Sequence, residues 1–537
     1  MRTKISRRDF AGKIAVASFC SLIPRWVGAS TAATRKITVR ADQPIGTVRP
    51  EFHGHFAEHL GSCVYGGLWV GKNSPIPNIN GYRKQSVEYL KDLGIPALRW
   101  PGGCYADDYH WRDGIGPVEG RPKRVNIHWG GYVEDGSFGT HEFIGLCRLI
   151  GAEPYLAGNV GSGSPREMRD WVEYCNMPSG SSLAEERIKN GATEPFRVRY
   201  WGVGNEAWGC GGWMRSEVYA DHYRQFSVYL RKYGETEPFL IASGPNGNDT
   251  RWSRKFMDTL EWGAPDGISM HYYEGGDDHP LRFTAEHVKK QLAIFGRVEE
   301  AIVQQRSLFD SYREGRKIAL VLDEWGVWDR IAEEDEKKFG KLWQQSTMRS
   351  AVAAALGLNI FNRQADKLFM CNIAQLINVL QSLLLTDGPT GQHCVKTANY
   401  HAFMLFKPHR GNTSVRVEAD GMRLPDGRGG GRGRGAEQPP EISVSASRGD
   451  GRLVVSLVNP RADADWTVDV ALRGVTAHEG GARILHDSDI NAANSFENPG
   501  RLTVKPHEVA VEGGHFRIAL PAMSVATVTL KVTESPA

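Results

Sequence analysis

The sequence predicts a (β/α)₈ barrel with an appended β-sandwich, and two changes of pattern along the chain support this prediction. From about residue 51 to 390, short apolar runs that end in Gly, Asn, Glu or His alternate with helical segments. Strands that alternate with helices indicate a parallel sheet. After residue 390 the helical patterns stop, and alternating strands separated by turn residues follow. That second pattern is typical of a β-sandwich.

Eight apolar runs make up the first region, and eight strands alternating with helices favour a closed barrel. One of the helical segments between them opens at Thr140 and places Phe143, Ile144, Cys147 and Ile150 on one face. The runs, in chain order, are FHGHFAE, PALRWPGG, EPYLAGNVG, VRYWGVGNE, PFLIASGPN, DGISMHYY, KIALVLDEW and KLFMCNIAQ. We therefore assign residues 51–390 to the barrel.

The sandwich is predicted over residues 391–537 from alternating stretches such as VVSLVNP, TVDVALRG, HFRIAL and VATVTLKV. Residues 36–50 also alternate like strands, and we expect them to join the sandwich because chain termini often meet. A Gly/Arg-rich stretch at 424–440 is predicted to be a disordered loop between two strands. An arginine–glycine tail that binds RNA is the less favoured interpretation.

The first 29 residues are predicted to be an export signal of the twin-arginine type. Arg7 and Arg8 precede Phe10, an apolar run reaches Ile23, and Val27-Gly28-Ala29 resembles a cleavage site. A plain secretory signal is the alternative. The run is about half the length of about 20 residues that a membrane span needs. These features predict a periplasmic or extracellular protein without a membrane span.

Composition excludes some functions. The net charge of +3 is small for 537 residues, which argues against a nucleic-acid partner or a polybasic membrane protein. The eight cysteines are scattered and form no C-x-x-C pair. We therefore predict mostly free, buried thiols, with neither a disulfide framework nor a metal site.

Polar side chains cluster where the predicted strands end, which is the face that carries function in such barrels. Two of them, Glu206 and Glu324, end the fourth and seventh runs. Glycoside hydrolysis requires two carboxyl groups, one protonated and one ionised. A structural ion pair would explain either glutamate alone, but the pair at these two strand ends favours catalysis. The other strand-end groups are Glu58, Asn159, Asn205, His271, Tyr272, Tyr273, Asp323, Trp325 and Gln375.

Several motifs together resemble glycoside hydrolase family 51, the α-L-arabinofuranosidases, over residues 36–537. They are FHGHFAEHLGSCVYGG, LRWPGGCYADDYHWRDGIGP, NIHWGGYVEDGSFGTHEF, AGNVGSG, YWGVGNEAWGCGG, HYYEGG, LDEWGVW and NIAQLINVLQSLLLTDG. The resemblance implies a retaining enzyme that releases terminal α-L-arabinofuranosyl residues from hemicellulose or pectic polysaccharides and oligosaccharides. It implies Glu206 as the acid/base and Glu324 as the nucleophile.

The resemblance also implies a sugar-binding pocket and a multimeric assembly. The pocket residues implied are Glu58, Cys104, Asn205, His271, Tyr273 and Gln375, with Asn159 as a weaker member. Cys104 departs from the family pattern, because many relatives carry Asn there and a thiol is a weak donor. Ala207 stands where a polar or larger residue is common.

Other functions remain as alternatives. A related retaining glycosidase could act on a xyloside or a glucan, and a non-enzyme alternative is a carbohydrate-binding protein. The span His55 to His59 matches the H-x-x-E-H zinc pattern, but the glycines around it argue against the helix that zinc binding requires. No cofactor is predicted, since no Walker spacing follows the glycine-rich stretches. The predicted partner is a carbohydrate, with a homo-oligomer possible.

Overall fold

The computed structural model describes residues 33–276, 278–388, 390–422 and 438–535. The predicted export segment at 1–29 and nearly all of the predicted loop at 424–440 lie outside these ranges. None of the helices within them is long and apolar enough to cross a membrane.

A closed barrel of eight parallel strands forms the larger part of the described chain, as predicted. The strands pair in chain order, and the eighth closes on the first. We number them one to eight: Gly54–Phe56, Ala97–Trp100, Glu153–Gly158, Tyr200–Val203, Phe239–Ala242, Gly267–Gly275, Ala319–Trp328 and Leu368–Ala374. Strands buried on both faces read as continuous apolar runs, which explains why the sequence showed them clearly.

A layer of side chains fills the barrel near the amino ends of the strands. Its members come from six different strands and are all buried: Ala97, Tyr155, Tyr200, Ile241, Val321 and Met370. Such layers make the interior of these barrels a packed core and not a channel. The carboxyl ends of the strands are therefore the part of the barrel that is free to carry polar groups.

Eleven α-helices accompany the strands in the described part of the chain. Several begin with a side-chain cap, as Ser164 does by accepting a hydrogen bond from the Glu167 backbone amide. They span Lys84–Leu93, Thr140–Ile150, Pro165–Asn176, Ser182–Lys189, Ser216–Ser227, Thr250–Thr259, Ala285–Phe295, Val298–Asp310, Glu333–Phe339, Met348–Arg363 and Ala398–Phe406. Three short strand pairs lie in loops: Asn78–Ile79 with Tyr82–Arg83, Arg124–Val125 with Val133–Glu134, and Leu384–Thr386 with Cys394–Lys396.

The second region is a ten-stranded sheet wrapped around its own apolar core. Strand Ala33–Thr47 belongs to it, pairing antiparallel with Thr413–Ala419 and parallel with Trp466–Arg473. The remaining strands are Ser443–Gly449, Arg452–Asn459, Val475–His486, Lys505–His507, Val509–Glu512, His515–Leu520 and Ser524–Glu534. The predicted all-β domain is thus confirmed.

One helix joins the barrel to this domain. Met348–Arg363 is buried along its whole length, so its polar residues need hydrogen-bond partners. Two polar residues near its carboxyl end contact the sheet: Asn362 donates to the Ser445 hydroxyl at 3.0 Å, and Arg363 donates to the Val444 carbonyl at 2.9 Å. The sheet domain therefore packs against the barrel through this helix.

Candidate active site

The two predicted glutamates lie at the carboxyl ends of the fourth and seventh barrel strands. Glu206 follows the fourth strand by three residues, and Glu324 lies inside the seventh strand. The Glu206 backbone has a φ of 38°, a left-handed conformation that costs energy for a residue with a side chain. Such strain is found where the surrounding structure fixes a functional side chain.

The carboxylates of Glu206 and Glu324 are close, with His271 between them. One oxygen of each, together with a His271 nitrogen, lies within 4.8 Å of the others. Nδ1 of His271 is 2.9 Å from Glu206 Oε1 and 3.5 Å from Glu324 Oε2. Burial alone would lower the pKa of His271, but the charges of Glu324 and Glu206 outweigh it and raise that pKa. The acidic pair therefore favours the cationic form of this imidazole.

Glu324 is held in its ionised form. Arg99 donates to Oε1 at 2.5 Å, and the Tyr273 hydroxyl donates to Oε2 at 2.8 Å. Burial would raise the pKa of Glu324, but the charges of His271 and Arg99 and these hydrogen bonds outweigh it, so the pKa lies below its usual value. A buried, ionised carboxylate with fixed partners has the properties of a nucleophile.

Asn205 lies beside the pair with half of its amide unused. Its Oδ1 accepts from Arg99 at 2.6 Å, while its buried Nδ2 has no hydrogen-bond partner among the described residues. A buried donor without a partner is costly unless a ligand completes it. Asn205 therefore has a free N–H group for a substrate hydroxyl.

Asp107 fixes the backbone around this amide. Its carboxyl accepts from the Asn205 backbone amide at 2.8 Å and from Val160 and Gly161 at 2.7 and 2.9 Å. Burial raises the pKa of Asp107 to about 7, and the hydrogen bonds from these three donors oppose that increase.

The backbone around Asn205 also leaves no space for a side chain at Gly211. A Cβ on Gly211 would lie 1.7 Å from the Asn205 carbonyl oxygen. Only glycine fits there, which accounts for a glycine in the stretch after Gly-Asn-Glu.

Glu58 is a third carboxyl group close to the acidic pair. Its carboxyl accepts from Tyr105 N, Trp129 Nε1 and Gln375 Nε2 at 3.1, 2.9 and 3.1 Å. Burial raises the pKa of Glu58 to about 8, the Glu324 charge adds to the increase, and the hydrogen bonds from Tyr105 and Trp129 oppose it. At neutral pH this carboxyl is mostly protonated, so it offers an O–H donor as well as acceptors.

A cavity that is open to solvent brings most of the predicted residues together. Asn205 and His271 lie just behind the wall, where they contact Arg99 and Glu206. The predicted residues on the wall are Glu58, Cys104, Glu206, Tyr273, Glu324 and Gln375. Asn159 is not among them, because its amide bonds to Ser162 and Gly163 of its own loop.

Sequence reasoning missed several residues of this site. Arg99 could have been noticed as a cation at the end of an apolar strand, where an unpaired charge is costly. The wall residues Trp129 and Trp208 come from separate loops, and Trp328 ends the seventh strand. Tryptophans that stack on a ligand do not differ in sequence from those in the core. Their rings give the cavity the flat apolar surfaces that suit a sugar.

The prediction that Cys104 presents a free thiol is wrong. Cys104 and Cys210 form a disulfide, with Cα atoms 5.4 Å apart although the two residues are 106 positions apart in sequence. The two cysteines follow the second and fourth strands, whose ends meet at the barrel mouth, so a large sequence separation becomes a short distance. The other five cysteines in the described ranges are free and buried, as predicted.

The zinc site and the non-catalytic carbohydrate-binding function find no support in the geometry. His55 lies on the first barrel strand, and its ring packs on Phe403 at 5.0 Å, so the helix required for zinc binding is not formed there. In the sheet domain Trp466 is buried beneath the Arg35 guanidinium. It cannot serve as an exposed platform for carbohydrate.

Comparison with known proteins gives consistent matches. The model of the α-L-arabinofuranosidase 1 domain matches residues 89–287, and that of the α-L-arabinofuranosidase C-terminal domain matches residues 323–524. An intracellular exo-α-L-arabinofuranosidase of Bacteroides ovatus is 42% identical, covering 94% of this chain and 97% of its own. α-L-Arabinofuranosidase C of Emericella nidulans is 34% identical over 79% of this chain and 84% of its own.

Two solved structures share the whole architecture. The GH51 arabinofuranosidase of Xanthomonas axonopodis pv. citri has a TM-score of 0.87 at 38% identity, covering 93% of this chain and 99% of its own. The α-L-arabinofuranosidase of Thermotoga maritima, solved with arabinose, has a TM-score of 0.81 at 28% identity, covering 93% and 100%.

The Bacteroides relative corrects one prediction. It is named an intracellular enzyme, which contradicts the predicted periplasmic or extracellular localisation, and that prediction is wrong. The twin-arginine pattern is a short address read by a receptor. A few residues can match such an address without any physical constraint from the fold.

Proposed function

Because this chain belongs to glycoside hydrolase family 51, the α-L-arabinofuranosidases, we propose that Glu324 is its nucleophile and Glu206 its acid/base. The enzyme is a retaining glycosidase that releases arabinofuranosyl residues. The observation that carries the assignment is the approach of the two carboxylates to within 4.8 Å. Retaining enzymes keep their carboxyls about 5–5.5 Å apart, whereas inverting enzymes leave about 6.5–9.5 Å for a water molecule.

The reaction follows from the partners of each carboxylate. Glu324 attacks the anomeric carbon while Glu206 protonates the leaving oxygen, which gives a covalent glycosyl-enzyme. Arg99 and Tyr273 hold Glu324 in place for this attack. In the second step Glu206 takes a proton from water, which displaces Glu324 from the sugar. Asn205 Nδ2 is free to bind the sugar's 2-hydroxyl, where a hydrogen bond can strengthen in the transition state.

The substrate that we propose is a terminal α-L-arabinofuranosyl residue on hemicellulose, pectic polysaccharide or an oligosaccharide. Glu58 and Gln375 supply further polar contacts to the sugar, and the tryptophans of the cavity wall contact the leaving group.

We also propose that the chain forms a homo-oligomer. Its strand pair near residue 125 exposes 53% of Val125, 68% of Ile127 and 58% of Val133, and such apolar patches favour association.

A screen of nitrophenyl glycosides that differ only in the sugar tests this function. We expect kcat/KM for the α-L-arabinofuranoside to exceed that for the β-D-xylopyranoside and the β-D-glucopyranoside by about a hundredfold or more. The reason is that a site with buried polar groups rejects sugars that leave those groups unpaired. Preference for the xyloside or the glucoside would favour the alternative glycan substrate.

Glu58→Gln should keep kcat/KM within about tenfold of the wild type, or about 1.4 kcal/mol. An amide resembles the protonated carboxyl that the raised pKa of Glu58 implies, and Gln375, whose Oε1 has no partner among the described residues, can accept from it. Glu58→Ala should lose roughly a hundredfold, because it leaves buried donors unpaired. Equal losses in the two variants would mean that Glu58 acts as a carboxylate.

Tyr273→Phe should move the acidic limb of the kcat/KM profile to higher pH. The hydroxyl of Tyr273 donates to the ionised form of Glu324 and lowers its pKa, so its removal raises the pH below which the nucleophile is protonated. Tyr272→Phe is the matched control, because that hydroxyl donates to the Ile294 carbonyl instead. An unmoved limb in Tyr273→Phe would contradict this assignment.

A further inference from the structure

The disulfide of Cys104 and Cys210 lies beside the catalytic cavity, and Cys104 lines its wall. Both cysteines are partly exposed, whereas the five free cysteines of the described chain are buried. A small reductant that enters the cavity therefore reaches this pair first. A dithiol such as dithiothreitol gives two electrons and two protons to the S–S bond, which becomes two thiols, while the reductant closes to its own cyclic disulfide.

The sulfur atoms lie against the proposed acid/base. Cys210 Sγ is 3.4 Å from Glu206 Oε2, and both sulfurs lie within 4.8 Å of a Glu206 oxygen. Two thiolates and a carboxylate are ligands that Zn²⁺ accepts, with zinc–sulfur distances of about 2.3 Å and zinc–oxygen distances of about 2.1 Å. Tetrahedral ligands then stand roughly 3.5 Å apart, close to the spacing of Cys210 and Glu206 in this structure.

We propose that the dithiol form of Cys104 and Cys210, together with the Glu206 carboxylate, is a binding site for a soft divalent cation of the zinc class. Rotation of the two cysteine side chains separates the sulfurs once their bond is broken. The fourth position of the metal opens on the cavity, where water completes it. In the disulfide form no thiolate exists, so the site is present only after reduction.

The bound cation takes the carboxylate that must carry a proton to the leaving group. It therefore blocks the first step of hydrolysis, and this consequence rests on the proposed role of Glu206. Metal binding itself does not rest on that role. The two can be measured separately, by zinc stoichiometry and by turnover.

The test compares oxidised and reduced wild-type enzyme without any mutation. The protein is treated with dithiothreitol, desalted under nitrogen and titrated with Zn²⁺ against a chromophoric chelator, and turnover of nitrophenyl arabinofuranoside is measured in parallel. We expect the reduced enzyme to bind one more Zn²⁺ per chain than the oxidised enzyme. Addition of Zn²⁺ should lower the turnover of the reduced enzyme at least tenfold, and a strong chelator should restore that turnover.

Two variants assign the effect to this pair. Cys210→Ser removes one ligand and should bind no additional zinc after reduction, whereas Cys175→Ser, a buried free cysteine on the helix Pro165–Asn176, should behave as the wild type. Thermal melts of each protein in both redox states verify that it is folded. No additional zinc in the folded, reduced wild type, or equal binding by Cys210→Ser, would overturn the proposal. Stoichiometric binding without loss of turnover would support the site and count against Glu206 as the acid/base.

Discussion

Glu324→Ala should lose activity on every substrate by at least about 10⁴-fold, equivalent to roughly 5.4 kcal/mol of transition-state stabilisation. The covalent intermediate cannot form without the nucleophile, and a good leaving group does not compensate for its absence. This distinguishes Glu324 from an acid catalyst, whose removal affects poor leaving groups most. We expect Glu324→Ala to turn over neither nitrophenyl nor dinitrophenyl arabinofuranoside.

This loss of activity must be distinguished from disruption of the structure around the buried charged groups near Glu324. Arg99 keeps Asn205 and Asp323 as neighbours when Glu324 is removed, at 2.6 and 3.4 Å. Glu324→Gln preserves the shape of the side chain and should be as inactive as the alanine variant, with both folded by circular dichroism. Azide that enters the space left by Glu324→Ala should give the β-azide by a single inversion. Substantial residual turnover by Glu324→Gln would show that Glu324 is not the nucleophile.

The barrel could be predicted because its strands are buried on both faces. Apolar runs such as KIALVLDEW are visible in one sequence, and their order fixes which ends share the barrel mouth. Glu206 and Glu324 could be paired for the same reason, since both end strands that the fold brings together. The assignment of their separate roles came from the family resemblance and not from the residues alone.

The groups that tune these carboxylates could not be read from the sequence. Arg99 reaches Glu324 across 225 positions and Asn205 across 106, and only the closed barrel makes these distances short. The prediction of a free thiol at Cys104 was wrong for a related reason. The lengths of the loops after the second and fourth strands decide whether Cys104 contacts Cys210. Strand ends determine which residues are neighbours, but loop conformation determines which of them touch.

Glu206→Ala should behave differently from Glu324→Ala on an activated substrate. Dinitrophenolate leaves without a proton, so the first step should survive on dinitrophenyl arabinofuranoside and show a burst of product. The second step should be slow, because no base remains to activate water. The glycosyl-enzyme therefore accumulates, and its mass should be visible on the intact protein.

Added azide should restore turnover of Glu206→Ala, because it is a nucleophile that needs no base. It attacks the glycosyl-enzyme on the face opposite Glu324, so two inversions give net retention and an α-arabinofuranosyl azide. The space for azide is that of the Glu206 carboxyl, beside His271. Nuclear magnetic resonance of the product distinguishes the two anomers. A β-azide from Glu206→Ala, or an α-azide only from Glu324→Ala, would mean that the two roles are reversed.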